Sequence, residues 1–408
     1  MKPLGPIPPG FEAVGGELAV GGRTASALVD EAGGTPLFVY SAELIRRRMA
    51  GLRDAMPANL RIHYAVKANP YKPILELMRE LTDGFDIASG GELDIVLAAG
   101  QDPGVVSFAG PGKRDEELAL AIAHGVTLNL ESEAEARRAL AVAERLGATP
   151  RLAIRVNPDF ELRGSGMKMG GGAKPFGLDQ ERVPALAREM IAAGAEWRGL
   201  HIFTGSQALD AAAIAETQGN VLDLAARLTA EIGAPLPHLN MGGGIGIPYF
   251  NGDRPVDAAA VGAALAERFA ALAPELAGTE FAIELGRYLV GEAGVYLTRI
   301  VDRKESHGHT FLVTDGGLHH QLAASGNFGT VVRRNYPVAI ATKFSAEPDE
   351  EASVVGCLCT PLDRLADQAH LPRADVDDIV AVFCAGAYGA SASPFMFLGQ
   401  GPAREMLV

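Results

Sequence analysis

The amino-acid sequence predicts an α/β chain in which a (β/α)8 barrel is followed by a smaller, mostly β domain. Three observations carry this expectation. Eight short extended apolar runs recur between residues 61 and 284, amphipathic helical stretches separate them, and the alternation stops after Arg287. At 408 residues, with 48% hydrophobic and 21% charged side chains, the chain is long enough to bury one large core and a second, smaller one.

Residues 1–35 are rich in Gly and Pro, with short apolar pieces such as Leu18-Ala19-Val20. They read as irregular chain and strand that join the C-terminal β domain. Residues 37–40 (LFVY) read as a strand, and Ser41 is placed to cap a helix running from Leu44 to Met56. The barrel is assigned to residues 36–287. Its strands are expected at 61–66, 84–88, 105–109, 127–130, 151–156, 198–203, 238–241 and 280–284, with helices such as 132–146 and 256–272 between them. Residues 163–173 (RGSGMKMGGGA) are glycine-dense and read as a mobile loop. From 288 to 408 short β-like runs at 311–314, 354–358 and 379–384 are divided by turns.

Charge narrows the function classes. Fifty acids against 36 bases give a formal charge of -14, spread along the chain, which disfavours nucleic acid and anionic membrane as partners. No apolar run reaches the ~18 residues of a membrane span, and residues 1–10 lack the apolar core of a signal peptide. The three cysteines, Cys357, Cys359 and Cys384, cannot all pair within the chain, and no Cys/His spacing suggests a metal site. A reducing cytoplasm is the expected location.

The reactive residue types collect where strands end, at the rim where barrel enzymes hold their chemistry. Lys67 stands where the run Ile62, Tyr64, Val66 gives way to the turn Asn69-Pro70. Such a lysine can form a Schiff base. Gly242-Gly243-Gly244 follows the seventh strand, where bare backbone N–H groups can close around a phosphate, and Arg287 can add charge. A lysine, a phosphate cradle and the strand-end acid Glu284 are the parts needed to hold pyridoxal 5′-phosphate.

In register along nearly the whole chain stand Tyr64-Ala-Val-Lys67-Ala-Asn69, Asp86-Ile-Ala-Ser89-Gly-Gly-Glu92, Gly205-Ser206-Gln207, Gly242-Gly-Gly244, Glu284-Leu-Gly286-Arg287, Cys359 and Gly386-Ala-Tyr388-Gly. This set resembles the fold-type III pyridoxal-phosphate-dependent decarboxylases, the group containing diaminopimelate, ornithine and arginine decarboxylases. The resemblance implies that Lys67 forms the Schiff base, Glu284 faces the ring nitrogen, and Ser206, Gly243, Gly244, Gly286, Arg287 and Tyr388 surround the phosphate. Asp86 and Arg155 would support lysine and ring from behind. Cys359 would donate a proton across a homodimer interface, so that the two subunits share their active sites.

The departures from the family pattern speak to substrate. Thr360 follows Cys359 where the diamino-acid enzymes carry an acid that meets the distal amino end, and a buried ammonium without a counter-charge is costly. Residues 322–328 (LAASGNF) stand where diaminopimelate enzymes carry an arginine-proline pair. Phe203 replaces the ring-stacking histidine, and Leu285 replaces a proline. His319-His320-Gln321 and Cys359-Thr360-Pro-Leu-Asp363 are closer to a branch of the family associated with secondary metabolism and exosortase clusters, some of whose members decarboxylate an amino acid carried on an acyl carrier protein. Thr360, Asp363, His319 and His320 are therefore expected at the substrate, and Arg333, Arg334, Lys168 and Lys174 at a basic rim for an acidic carrier. The other readings are diaminopimelate decarboxylation, amino-acid racemisation with Tyr336 as second base, and a non-catalytic pyridoxal-phosphate-binding regulator.

Overall fold

The computed structural model describes residues 1–325 and 334–408. The chain forms two compact units, one from Met49–Gly246 and Val256–Gly286, the other from Met1–Arg48, Ile247–Pro255 and Arg287–Val408.

The first unit is a closed parallel barrel. Its strands are β1 (Leu60–Ala65), β2 (Gly84–Ile87), β3 (Val106–Phe108), β4 (Thr127–Leu130), β5 (Arg151–Asn157), β6 (Glu196–Ile202), β7 (His238–Asn240) and β8 (Glu280–Leu285). Each pairs in parallel with the next, and β8 returns to β1 with Phe281 opposite Leu60 and Glu284 opposite His63. All eight fall on the runs expected from sequence. Because successive side chains point to opposite faces, Ile62 and Tyr64 are fully buried on one face of β1 while Arg61 and His63 line the barrel interior.

Caps set the barrel helices. Ser132 Oγ accepts from Glu135 N at 3.1 Å to start the helix Glu133–Leu146, and Asp257 accepts from Ala260 N at 2.9 Å to start Ala258–Ala270. At the far end of the first of these, Gly147 takes φ 62°, a left-handed stop that glycine adopts without strain. Residues 163–173, expected as free loop, are tied down. Met167–Lys168 pairs antiparallel with Gly205–Ser206, and Met169 N and Gly170 N both donate to Thr204 O at 3.1 Å.

The second unit is organised on the long strand Gly294–Ser306, which pairs with Leu37–Tyr40, Ile379–Val382 and His309–Thr314. Leu37–Tyr40 was assigned to the barrel region on sequence. In the structure it runs between Gly294–Ser306 and the C-terminal strand Arg404–Leu407, so this unit takes in residues 1–48 and not 1–35 alone. The reason is that all four residues are buried on both faces and find ladder partners on both edges there. A helix at Ala25–Ala32 was also unexpected amid so much glycine. Thr24 Oγ1 caps it, Gly33 ends it, and Leu28 and Val29 pack with Leu18, Val295 and Phe383. Among the described residues no helix is long and apolar enough to cross a membrane.

Candidate active site

The turn that follows β1 is a single 3-10 turn, Val66–Ala68. Val66 and Ala68 are buried on either side of Lys67, Tyr64 Oη donates to Asn69 O at 2.9 Å, and Tyr71 N donates to Asn69 Oδ1 at 3.0 Å. The backbone is thus pinned while the lysine side chain stays 44% exposed. Its Nζ lies 4.0 Å from Glu284 Oε1 and 5.3 Å from the centre of the Phe203 ring.

Glu284, near the end of β8, is buried and fully engaged. Its Oε2 meets His201 Nε2 at 2.8 Å and accepts from Asn240 Nδ2 at 3.2 Å. Burial alone would raise the pKa of this carboxyl. The His201 imidazole, followed by the Lys67 ammonium and Arg155, outweighs burial and holds it well below the usual carboxylate range. Asp86 on β2 accepts from Ser107 Oγ at 2.7 Å. Arg155 on β5 is held by Glu131 at 3.0 Å and lies 5.1 Å over the Phe176 ring, and the same Glu131 accepts from Gly110 N and Gly177 N.

The glycines after β7 are required by space. A Cβ on Gly243 would lie 1.9 Å from Glu284 O, and Gly244 has φ 92°. Ser206 lies on the short ladder with Met167. Gly286 lets the end of β8 approach the Lys67 turn, since its Cβ would meet that of Ala68 at 2.6 Å. One exposed amine, a buried ionised carboxylate close to it, an aromatic ring and a side-chain-free backbone run together fit a small phosphorylated aldehyde heterocycle. Lys67, Asp86, Arg155, Phe203, Ser206, Gly243, Gly244, Glu284 and Gly286 all belong to this barrel unit.

The remaining expected residues, apart from Lys168 and Lys174, belong to the second unit. Arg287 donates to Tyr249 Oη at 2.7 Å and stacks 4.6 Å from the centre of the Tyr388 ring. Cys359 is exposed, with Thr360 half-buried beside it. Two substrate expectations need correction. Asp363 is 2% exposed and accepts from Leu318 N at 2.7 Å and Leu358 N at 2.8 Å, so its carboxylate is buried and engaged by backbone amides. His320 is held between Tyr296 Oη at 3.1 Å and Gly401 O at 2.9 Å, and burial lowers its pKa to about 4, so it is a neutral packing residue. His319 is buried with neither ring nitrogen bonded. Lys168 is already paired with Glu161 at 2.5 Å, and Arg334 stacks 3.8 Å from the centre of the Phe250 ring. Arg333 and residues 326–329 of the histidine motif lie outside the described residues. Tyr336 is packed between Tyr249 and Phe250, and burial holds its pKa well above that of an ordinary phenol.

Residues 42–291 match the family model described as pyridoxal-dependent decarboxylase, pyridoxal binding domain. The chain belongs to the pyridoxal-dependent decarboxylases. It is 33% identical to the L-glutamyl-[BtrI acyl-carrier protein] decarboxylase of Niallia circulans, over 91% of this chain and 88% of that one. It is 32% identical to the diaminopimelate decarboxylase of Archaeoglobus fulgidus, over 98% and 93%. The diaminopimelate decarboxylase of M. jannaschii in co-complex with L-lysine superposes with a TM-score of 0.85 at 25% identity, covering 98% of this chain and 93% of that one.

Sequence reasoning about this decarboxylase placed His201 at a strand end but gave it no role on Glu284, and missed Asn240. His201 and Asn240 sit at interior positions of β6 and β7, and the signal was a polar residue recurring at the inward step of an otherwise apolar strand. The corrected reading of Asp363 has a measurable consequence. Asp363→Ala strands two buried backbone N–H groups at about 1–3 kcal/mol each, so a thermal melt of the holoenzyme should show a clear drop in Tm.

Proposed function

We propose that this decarboxylase acts on an amino acid without a second ammonium group, of the kind exemplified by a glutamyl group carried on an acyl carrier protein. The observation that carries this reading is the make-up of the stretch that follows Cys359. Thr360 follows it, and Asp363, the one carboxylate in the stretch 359–363, is turned inward onto the Leu318 and Leu358 amides. A substrate ammonium at that place would be left without a counter-charge. The similarity to a glutamyl-carrier-protein decarboxylase supports the same reading.

Bound pyridoxal phosphate supplies an electron sink for the carbon that loses CO2. The chain's own residues do the rest. Lys67 Nζ would anchor the cofactor and would hold a proton when freed from it. Glu284, kept ionised chiefly by His201 with Lys67 and Arg155, would hold a proton on the ring nitrogen, and Phe203 would offer its face for stacking. Cys359 Sγ returns a proton to the substrate carbon.

The test is CO2 release from the holoenzyme with free diaminopimelate, ornithine and glutamate, and with glutamyl carrier protein. Turnover is expected on the carrier-bound glutamyl group. Fastest release from diaminopimelate overturns the reading.

The same reading includes a homodimer whose subunits share their active sites, with Cys359 supplied by the partner copy. Leu362, Met396, Phe397 and Leu398 are large apolar side chains left 54%, 69%, 48% and 56% exposed. Mixing Lys67→Ala and Cys359→Ala subunits, each inactive alone, is expected to restore about a quarter of the wild-type rate, because random pairing leaves one intact site in each mixed dimer. No recovery after exchange means that the sites are not shared.

A further inference from the structure

The interior of this barrel is polar where such barrels are ordinarily filled by layers of branched apolar side chains. Behind Glu284 and His201 come Asn240 and Asp86, then His63 with Ser107 and Asn129. Asn240 is the joint of the column. Its Nδ2 lies 3.2 Å from Glu284 Oε2 and 3.5 Å from Asp86 Oδ1, so two buried carboxylates share one amide. Asp86 Oδ1 also accepts from Ser107 Oγ at 2.7 Å, and Ser107 Oγ accepts in turn from Asn129 Nδ2 at 2.7 Å. Asp86 Oδ2 faces His63 Nδ1 at an ion-pair distance of 3.3 Å, and both atoms are buried without a hydrogen bond.

A cavity of about 60 Å³ opens beside His63 at the N-terminal end of the barrel. Ser107, Asn129, His238 and Asn240 line it, and it reaches Arg61 and Glu280, whose side chains are 44% and 40% exposed. A few waters fit there, with Ser107, Asn129 and Asn240 as polar partners. It is distinct from the opposite end of the strands, where Lys67 stands.

Two carboxylates this close repel, and without compensation one of them keeps its proton. His63 is placed to compensate. Burial works against a charge on its ring, but Asp86, with Asp83 and Glu284 further off, outweighs burial and raises its pKa above the ordinary histidine value. The other groups facing it are the His238 ring at 5.8 Å, which burial and His63 itself keep neutral with a pKa of about 3, and Arg61, Arg198 and Glu280 around the cavity.

We propose that His63 is a positioning residue of this decarboxylase: as an imidazolium on Asp86 it cancels the second carboxylate of the barrel interior, so that Glu284 stays ionised for the ring nitrogen, and the cavity at the N-terminal end is the water port through which His63 exchanges its proton. The proposal rests on Glu284 being the ring-nitrogen carboxylate. It adds, beside the effect of His201, Lys67 and Arg155, a contribution to the charge state of Glu284 from the side of the barrel that the substrate never meets.

Two measurements on the full chain test it. The first is a pH titration of the imidazole ¹⁵N resonances, with the His63 signal assigned by its loss in His63→Gln. His63 is expected to titrate above the ordinary histidine value, because Asp86 outweighs burial, and below it in Asp86→Asn. A His63 already neutral at pH 6 in the wild type overturns the proposal. The second is the affinity of pyridoxal phosphate for the cofactor-free protein, followed by fluorescence across pH. In His63→Gln the acid limb of that profile is expected to move up by about one unit, and the double variant His63→Gln/Asp86→Asn is expected to return toward the wild-type profile. Equal profiles for the single and double variants overturn the proposal, because a merely structural role gives no rescue. Glu284→Gln separates the underlying assumption: if the acid limb survives in that variant, Glu284 is not the ring partner, whatever His63 does.

Discussion

Lys67→Ala is expected to lower CO2 release by roughly 10³–10⁴-fold, the scale on which a positioned proton-transferring group acts, and to leave a protein that loses its cofactor on dialysis. The side chain is 44% exposed and the Glu284 carboxylate beside it is 4.0 Å away, so truncation opens no cavity and strands no buried hydrogen bond. The melting temperature of the cofactor-free chain should therefore stay close to wild type. That separation matters. A variant that fails because it unfolds says nothing about Lys67, whereas one that melts normally and neither holds cofactor nor turns over places the lysine at the chemistry. Wild-type CO2 release from Lys67→Ala removes it from the mechanism.

Glu284→Gln should cost about 10²–10³ in kcat, comparable to the loss of one pre-organised electrostatic group. Glutamine keeps the volume and can still accept from His201 or Asn240, but it carries no charge to hold a proton on the ring nitrogen. The same substitution has a signature in stability. The folded pKa of Glu284 is depressed, chiefly by His201 acting against burial, so its ionised form stabilises the fold fully above the unfolded pKa of about 4.3 and less as pH falls below that. Wild type should lose stability on acidification through that window more steeply than Glu284→Gln, and parallel acid denaturation curves for the two would sink this account.

Much of the barrel was legible because the signals are local. A run of four to seven apolar residues, a capping Ser or Asp and a helix-length amphipathic stretch repeat until all eight strands are placed, and each cap then appears where its hydroxyl or carboxylate can reach an N–H three residues on, as at Ser132 and Asp257. The position of Lys67 was legible for the same reason, since a lysine between an extended run and Asn69-Pro70 stands at a strand mouth. What stayed hidden depends on which strands become neighbours. Asp363 looked like a substrate residue because the run Cys359-Thr360-Pro-Leu-Asp363 resembles that of the carrier-linked branch; only the fold brings the Leu318 amide, 45 positions away, to it. Leu37–Tyr40 looked like a lead-in to the barrel because nothing in four apolar residues says which sheet receives them.

By itself the sequence determined the (β/α)8 plan, the lysine at the mouth of the first strand and the run of glycines after the seventh, because hydrophobic period and turn chemistry act between residues a few positions apart. Only the tertiary structure decided that His201, 83 residues from Glu284, grips its carboxylate, and that Asn240, 154 residues from Asp86, joins the two acids. Closing the barrel sets those distances, and in a buried interior a charge takes its protonation state from whatever stands within a few ångströms of it, wherever in the chain that neighbour comes from.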